Sequence, residues 1–179
     1  MHVSLIYGPM FSGKTKRLIR NVMVCKPKAR LIFKHRVDSR TGDTLSSHDS
    51  SCNDTMEAMP IHSLFQVTEW LTPEITHVFI DEAQFFEPGD LEDAVNRISK
   101  AWPKVKLVFA GLNLTWQGKS FPAIRVLRRM AAQKDQHFCQ GDCSECGAPS
   151  THSYLIDHER VTKLEIVGGE GAYESRCSP

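Results

Sequence analysis

Short apolar runs alternate with segments of helical spacing over most of the chain. The short runs predict strands, and the segments with apolar residues three or four positions apart predict amphipathic helices. Alternation of this kind is typical of an α/β domain, a parallel sheet with helices on both faces. The predicted strands are residues 3–7, 29–34, 78–80 and 105–110, and the predicted helices are residues 16–25, 90–102 and 122–133.

Two stretches depart from this alternation. Residues 38–55 are rich in Ser, Asp, Thr and His. They predict a long polar loop, and such a loop inside a compact domain usually has a function. After residue 138, short β-type runs such as residues 152–156 alternate with cysteine and glycine. We therefore expect two domains, residues 1–138 and residues 139–179, of which the second is small and rich in β structure.

Composition narrows the function classes. The 179 residues, 41% of them hydrophobic, suffice for one buried domain and a small appendage. The net charge of +1 lacks the basic excess of proteins that bind nucleic acid by its phosphates, so we expect no stable nucleic-acid partner. No apolar run approaches the roughly 20 residues of a membrane span, and the first residues lack a signal-peptide pattern. These features predict a cytoplasmic protein without a membrane partner, in which six cysteines indicate metal binding or free thiols.

Residues 8–15 match the pattern G-x-x-x-x-G-K-[ST] without a mismatch, between a predicted strand and a predicted helix. In such a loop, backbone N–H groups and the helix N-terminus bind phosphate oxygens. We predict that Lys14 neutralises the outer phosphates of ATP and that the Thr15 hydroxyl binds Mg²⁺. The predicted phosphate-binding residues are Gly8, Pro9, Met10, Phe11, Ser12, Gly13, Lys14 and Thr15.

Two carboxylates follow the predicted strand 78–80. Asp81 is predicted to complete the magnesium site, and Glu82 to act as a general base for a hydroxyl or a water. Residues 81–84 also resemble the D-E-A-x box of nucleic-acid helicases, although those enzymes need two such domains and this chain has room for one. A nucleic-acid-stimulated ATPase stays an alternative. A binding protein without catalysis is another, but the presence of Glu82 gives no reason to prefer it.

Further blocks resemble the thymidine kinases of the cellular, zinc-containing type, in the order and approximate spacing of that family. They cover nearly the whole chain: residues 8–15, 38–40, 47–49, 55–58, 81–86, 111–112, 115–117, 121, 143–147, 167–169 and 173. The resemblance implies a P-loop fold of the RecA-like type and a kinase that phosphorylates the 5′-hydroxyl of thymidine with ATP. It also implies a homotetramer and inhibition by the end product, dTTP. A kinase of deoxyuridine or another pyrimidine deoxynucleoside is the closest alternative.

The resemblance assigns roles to residues at the phosphate end of the site. It implies that Glu82 takes the proton of the 5′-hydroxyl. It also implies that Asp38 lies near the phosphates and joins Thr15 and Asp81 as a predicted magnesium residue. Arg40 is expected to stabilise the charge of the phosphoryl group during transfer. Positioning and positive charge are what in-line phosphoryl transfer requires.

The resemblance also implies how the nucleoside is held. Phe85 is expected to pack on the thymine ring, and a lasso loop from Val167 to Tyr173 to read the base edge with backbone groups. Without the resemblance, Phe85 would be interpreted as a core residue and Ser153 as an ordinary strand serine. Near the pocket the chain departs from the family at His35, where proline is common, and this puts the exact nucleoside preference in question. The expected nucleoside contacts are Met10, Gln84, Phe85, Leu112, Thr115, Trp116, Phe121, Ser153, Val167, Gly168, Gly169 and Tyr173.

Cysteines at residues 143 and 146, followed by glycine, form half of a structural zinc site. In the resembled family the other half is a second C-x-x-C after the lasso, whereas here only Cys177 is present. Structural zinc is almost always four-coordinate, so a further ligand is required. Cys139, four residues before Cys143, is the predicted fourth ligand, and a free Cys139 thiol is the competing interpretation. The predicted ligands are thus Cys139, Cys143, Cys146 and Cys177, with His137 and Asp142 as alternatives.

Overall fold

The computed structural model describes residues 2–38, 42–46, 55–156 and 171–177. Its centre is a six-stranded sheet of order β5-β2-β6-β7-β1-β8, in which every neighbouring pair is parallel. The strands are β1 His2–Gly8, β2 Arg30–His35, β3 Thr44–Ser46, β4 Thr55–Glu57, β5 Met59–Ile61, β6 His77–Asp81, β7 Lys106–Leu112, β8 Gln136–Phe138, β9 His152–Leu155 and β10 Tyr173–Arg176. The α-helices are α1 Lys14–Met23, α2 Pro88–Ala101 and α3 Pro122–Met130. The predicted α/β class with a parallel sheet is confirmed, and the arrangement is compatible with a RecA-like P-loop fold.

Side chains alternate between the two faces of the sheet and build a core on each. In β6, Val78 and Ile80 pack into the core that contains the buried residues of α2 and α3. Phe79, between them, packs into the opposite core with the buried residues of α1. The alternation follows from the two-residue repeat of a strand. Helices therefore cover both faces, as the buried runs of the sequence predicted.

A short ribbon occupies part of the predicted polar loop. Thr44–Ser46 pairs antiparallel with Thr55–Glu57. Leu45 is buried and packs into the α1-side core, where Met56 also lies. The expectation of a loop throughout residues 38–55 was therefore wrong for the described residues 44–46 and 55, because one apolar side chain in a polar stretch suffices to anchor a strand.

The last part of the chain forms a separate small sheet. His152–Leu155 pairs antiparallel with Tyr173–Arg176. The main sheet ends with β8 at Phe138, the residue after which the sequence predicts a domain boundary. That boundary stays a prediction. None of the helices in the described part of the chain has the length and apolar character needed to cross a bilayer.

We predict that Gly111→Ala destabilises the fold. Gly111 is buried in β7, and a Cβ there would lie 2.8 Å from Ile124 Cδ1 and 2.9 Å from Gln84 Oε1. Overpacking of this kind typically lowers the free energy of unfolding by about 1–3 kcal/mol. Urea unfolding followed by circular dichroism measures the change.

Gly89→Ala, in the exposed first turn of α2, is the matched control. A Cβ there meets only the flexible Glu87 carboxylate, and alanine favours the helix by roughly 1 kcal/mol. We expect the control to be as stable as the wild type or slightly more so. A Gly111→Ala variant that is as stable as the wild type would contradict the close packing of β7 on α3.

Candidate active site

The segment between β1 and α1 folds into a loop suited to an anion. Gly13, directly before α1, has φ of 76°, and Phe11 has φ of 59°. A left-handed conformation is unusual for a bulky residue and marks a constrained backbone. The first turn of α1 contains no acidic residue, so its N-terminal partial charge is not offset. Gly8, where the loop begins, is required as glycine because a Cβ there would lie 2.1 Å from the Cys139 carbonyl oxygen.

The loop brings its last two residues to the end of β6. Lys14 Nζ donates a hydrogen bond to the Pro9 carbonyl at 2.5 Å. Thr15 Oγ1 donates to Asp81 Oδ2 at 3.0 Å, although 66 residues separate the two. A hydroxyl and a carboxylate side by side are hard oxygen ligands that suit Mg²⁺. The structure thus brings together two of the three residues predicted to hold magnesium.

Asp81 is a carboxylate in an unfavourable environment. Burial, together with the neighbouring Glu82 charge, raises the pKa of Asp81 to about 7. Hydrogen bonds from the Glu82 amide, at 2.9 Å, and from Thr15 act in the opposite direction. A cation bound at this carboxylate would favour its ionised form. Asp81 therefore fits the role of a metal-binding group better than that of a structural carboxylate.

Glu82 occupies the turn after β6 in a left-handed conformation, with φ of 56°. Its carboxylate Oε2 accepts a hydrogen bond from Gln84 Nε2. Gln84 is 3% exposed, and its Oε1 accepts a hydrogen bond from the Leu112 amide at 3.0 Å. Gln84, predicted as a nucleoside contact, thus links the candidate base to the end of β7. No local pattern in the sequence indicates this link, because it depends on the pairing of β6 with β7.

Asp38 is buried just beyond the end of β2, on the carboxyl side of the sheet where the phosphate loop lies. Its carboxylate lies 3.7 Å from Lys34 Nζ, and the Lys34 side chain is also buried. Sequence reasoning missed Lys34, which reads as one polar position in a strand. Arg40 lies outside the described residues.

An apolar cluster borders the phosphate loop and contains several of the expected nucleoside contacts. Its members, hereafter the Met10 cluster, are Met10, Leu155 and Tyr173 with Leu112, Trp116 and Ala172 packed against them. Thr115 is buried next to Trp116 in the chain. Phe121 does not join the Met10 cluster, because it packs into the α2/α3-side core at the start of α3. Val167, Gly168 and Gly169 lie outside the described residues.

Two serines of the small sheet clamp the backbone of Met10. The Met10 amide donates to Ser153 Oγ at 2.9 Å, and Ser175 Oγ donates to the Met10 carbonyl. Ser153 and Ser175 face each other across β9 and β10, so one register fixes both bonds. Ser153 was predicted as a pocket residue, and the structure gives it this backbone contact. Ser175 was not predicted.

Phe85 is half-buried and lies against an aromatic support. The His35 ring centroid is 5.9 Å from that of Phe85 and 4.7 Å from that of Phe86, the second pair edge-to-face. His35 Nδ1 accepts a hydrogen bond from the Val37 amide at 3.3 Å. Burial lowers the pKa of His35, which favours the neutral ring. The residue that departs from the family's common proline thus packs against the predicted thymine-binding phenylalanine.

Three cysteines converge beside the small sheet. The sulfur atoms of Cys143, Cys146 and Cys177 all lie within 4.8 Å of one another, and those of Cys146 and Cys177 are 3.6 Å apart. Backbone N–H groups of Glu145, Cys146 and Cys177 lower the pKa of Cys143 to about 7, which favours the thiolate that a metal requires. Three thiols at this separation fit tetrahedral zinc, whose bonds to sulfur are about 2.3 Å long. The cluster could therefore bind structural zinc.

The predicted fourth ligand, Cys139, does not belong to this cluster. Its thiol is buried in the α1-side core, and burial raises its pKa. The reason is the extension of the main sheet, because β8 pairs with β1 and the Cys139 amide continues that pairing by donating to the Tyr7 carbonyl at 2.7 Å. The alternatives His137, within β8, and Asp142, bridged to Pro149, do not join it either. The described residues thus supply three ligands.

Comparison with known proteins agrees with this geometry. The family model for thymidine kinase matches residues 1–179, the whole chain. A thymidine kinase of Bdellovibrio bacteriovorus is 32% identical over 182 residues, covering 98% of this chain and 82% of that protein. The phosphate loop, the carboxylates after β6 and the pair Cys143 and Cys146 are among the parts of the sequence on which the resemblance rested. The chain belongs to the thymidine kinase family.

Proposed function

We propose that the protein transfers the γ-phosphate of ATP to the 5′-hydroxyl of thymidine, giving ADP and dTMP. The observation that carries this proposal is the double role of Met10. Met10 belongs to the phosphate loop, and its side chain is also part of the Met10 cluster. An apolar surface therefore lies directly beside a phosphate-binding loop, which suits a small molecule with a flat base and a hydroxyl to be phosphorylated.

The phosphate end of the site has a residue for each requirement of phosphoryl transfer. The loop amides and Lys14 would hold the phosphates, and Thr15 and Asp81 would hold Mg²⁺, with Asp38 and Arg40 as further groups near the phosphates. Magnesium supplies positive charge against the developing phosphoryl charge. Glu82 would accept the proton of the 5′-hydroxyl, and the bond from Gln84 orients its carboxylate for that step.

The nucleoside end is proposed from the Met10 cluster and the family resemblance together. Leu112, Trp116 and Tyr173 would pack along the thymine and the sugar, and Phe85 would stack on the ring from the side of His35. The backbone of residues 167–169 is proposed to read the base edge. A structural zinc ion at the three cysteines and a cytoplasmic location are further proposals. A homotetramer and inhibition by dTTP are proposals that rest on the resemblance.

We predict that the purified protein phosphorylates thymidine faster than deoxycytidine, deoxyuridine or deoxyguanosine in the presence of MgATP. Glu82→Gln should lower kcat by at least roughly 100-fold, because the general base is lost while the shape is kept. Glu69→Gln, at an exposed residue that ends the short helix Leu64–Glu69, is the matched control and should keep the wild-type rate. Coupled measurement of ADP with chromatographic detection of the nucleoside monophosphate gives both rate and product.

Two other results would redirect the proposal. Preference for deoxyuridine would keep the kinase and change its substrate. ATP hydrolysis that rises with single-stranded DNA, without any nucleoside product, would favour the nucleic-acid-stimulated ATPase and contradict the proposed kinase.

We predict that substitution of Cys143 lowers the zinc content of the protein and that substitution of Cys139 does not. Cys143→Ser removes a thiolate of the cluster and should lower zinc affinity by at least about 10-fold. Cys139→Ala should keep the zinc of the wild type, because its thiol lies in the α1-side core. Mass spectrometry of the metal per chain, after dialysis against a weak chelator, measures both. Loss of zinc from a folded Cys139→Ala variant would contradict the three-cysteine assignment.

A further inference from the structure

A lysine is fully buried at the carboxyl end of β2. Lys34 is 1% exposed and is among the largest side chains that the described residues bury completely. Burying an ammonium group is costly unless charged and polar partners surround it. Lys34 is in register with Asp81 of the neighbouring strand β6, the carboxylate that contacts Thr15. A buried cation therefore lies one strand away from the proposed magnesium ligands.

The side chain of Lys34 faces the α1 side of the sheet. Side chains alternate along a strand, and Ile32, two positions earlier, packs into the α1-side core. Phe33, between the two, packs into the opposite core with α2 and α3. Asp81 and Phe79 of β6 are likewise two positions apart, and Phe79 packs into the α1-side core. Lys34 and Asp81 thus project from the same face, the one on which α1 presents the phosphate loop.

The Lys34 ammonium connects the two ends of the chain segment between β2 and β3. Its Nζ lies 3.7 Å from Asp38 Oδ2 and donates to the Thr44 carbonyl at 3.4 Å. The Asp38 amide donates to the His35 carbonyl at 3.1 Å, so the chain turns back immediately after β2. Thr44 begins β3, whose Leu45 is anchored in the α1-side core. One buried charge therefore fixes the Asp38 carboxylate relative to β2 and to β3 together.

We propose that Lys34 is a positioning residue for phosphoryl transfer, which acts by holding the Asp38 carboxylate at the edge of the sheet where the phosphate loop lies. This rests on the proposed function, in which Asp38 lies near the phosphates. Lys34 itself is too buried to contact a phosphate in this arrangement, so its effect on the reaction passes through Asp38. Packing alone does not require a lysine at this position, because a methionine of similar length would fill the same space without the cost of a buried charge.

The test is a double-mutant cycle with Lys34→Met, Asp38→Asn and the combined variant. We expect Lys34→Met to lower kcat by at least about 10-fold, since misplacement of a catalytic group is costly, while KM for ATP and for the nucleoside changes less than threefold. In the Asp38→Asn background, Lys34→Met should change kcat by less than about threefold, because the group that it positions is already lost. Lys104→Met, an exposed lysine before β7, is the control and should match the wild type.

Two results would overturn the proposal. One is a Lys34→Met variant with the kcat of the wild type. The other is a further loss of 10-fold or more when Lys34→Met is added to Asp38→Asn, since the two effects would then be independent. If Lys34→Met alone does not fold, the comparison of Asp38→Asn with the combined variant still decides, because the combined variant leaves neither charge unpaired.

Urea unfolding of the wild type, the two single variants and the combined variant, without substrates, separates this proposal from the proposed function. The combined variant should unfold at a higher urea concentration than the sum of the two single shifts in the midpoint predicts, because the charges are paired. If the wild type phosphorylates no nucleoside, the proposed function fails. The double-mutant cycle is then measured on the rate of ATP hydrolysis. Independent effects of the two substitutions on the urea midpoint would overturn the pairing itself.

Discussion

The candidate site depends on one constraint, the parallel order of β2, β6, β7 and β1. Parallel strands present all their carboxyl ends at one edge of the sheet, so the turns that follow them meet there. The phosphate loop follows β1, Asp38 follows β2, Glu82 follows β6 and Leu112 ends β7. Because these groups come from separate stretches of the chain, no local motif could assemble them. The hydrophobic runs that place the strands in the sheet also place the chemistry.

The small sheet is tied to this edge through the phosphate loop itself. Ser153 and Ser175 form hydrogen bonds with both backbone groups of Met10. The Met10 side chain meanwhile packs with Leu155 and Tyr173 of the same sheet. Backbone and side chain of one loop residue are thus fixed by one element. Any movement of β9 and β10 is therefore expected to move the phosphate loop.

Local patterns in the sequence were sufficient for the phosphate loop and for Asp81 and Glu82, because each depends on a strand and on the residues directly after it. They were insufficient for the hydrogen bonds of Gln84 and Ser175, whose partners lie 28 and 165 residues away in sequence. The strand β8 is only 3 residues long and was not predicted, and the error at Cys139 follows from it. Four-residue spacing before Cys143 looked like ligand spacing, whereas strand pairing with β1 carries Cys139 into the core.

Electrostatics distinguishes the two buried carboxylates that the sequence predicted as magnesium ligands. The Asp38 charge lies near a buried ammonium, that of Lys34 in β2, and so has compensation within the protein. Asp81 has hydrogen bonds from Thr15 and the Glu82 amide, and burial together with the Glu82 charge still raises its pKa to about 7. A bound divalent cation would stabilise the ionised form of Asp81 more than that of Asp38, whose charge is already paired. Asp81 is therefore the carboxylate that would gain more from a bound cation, whereas Asp38 already has a cationic partner within the protein.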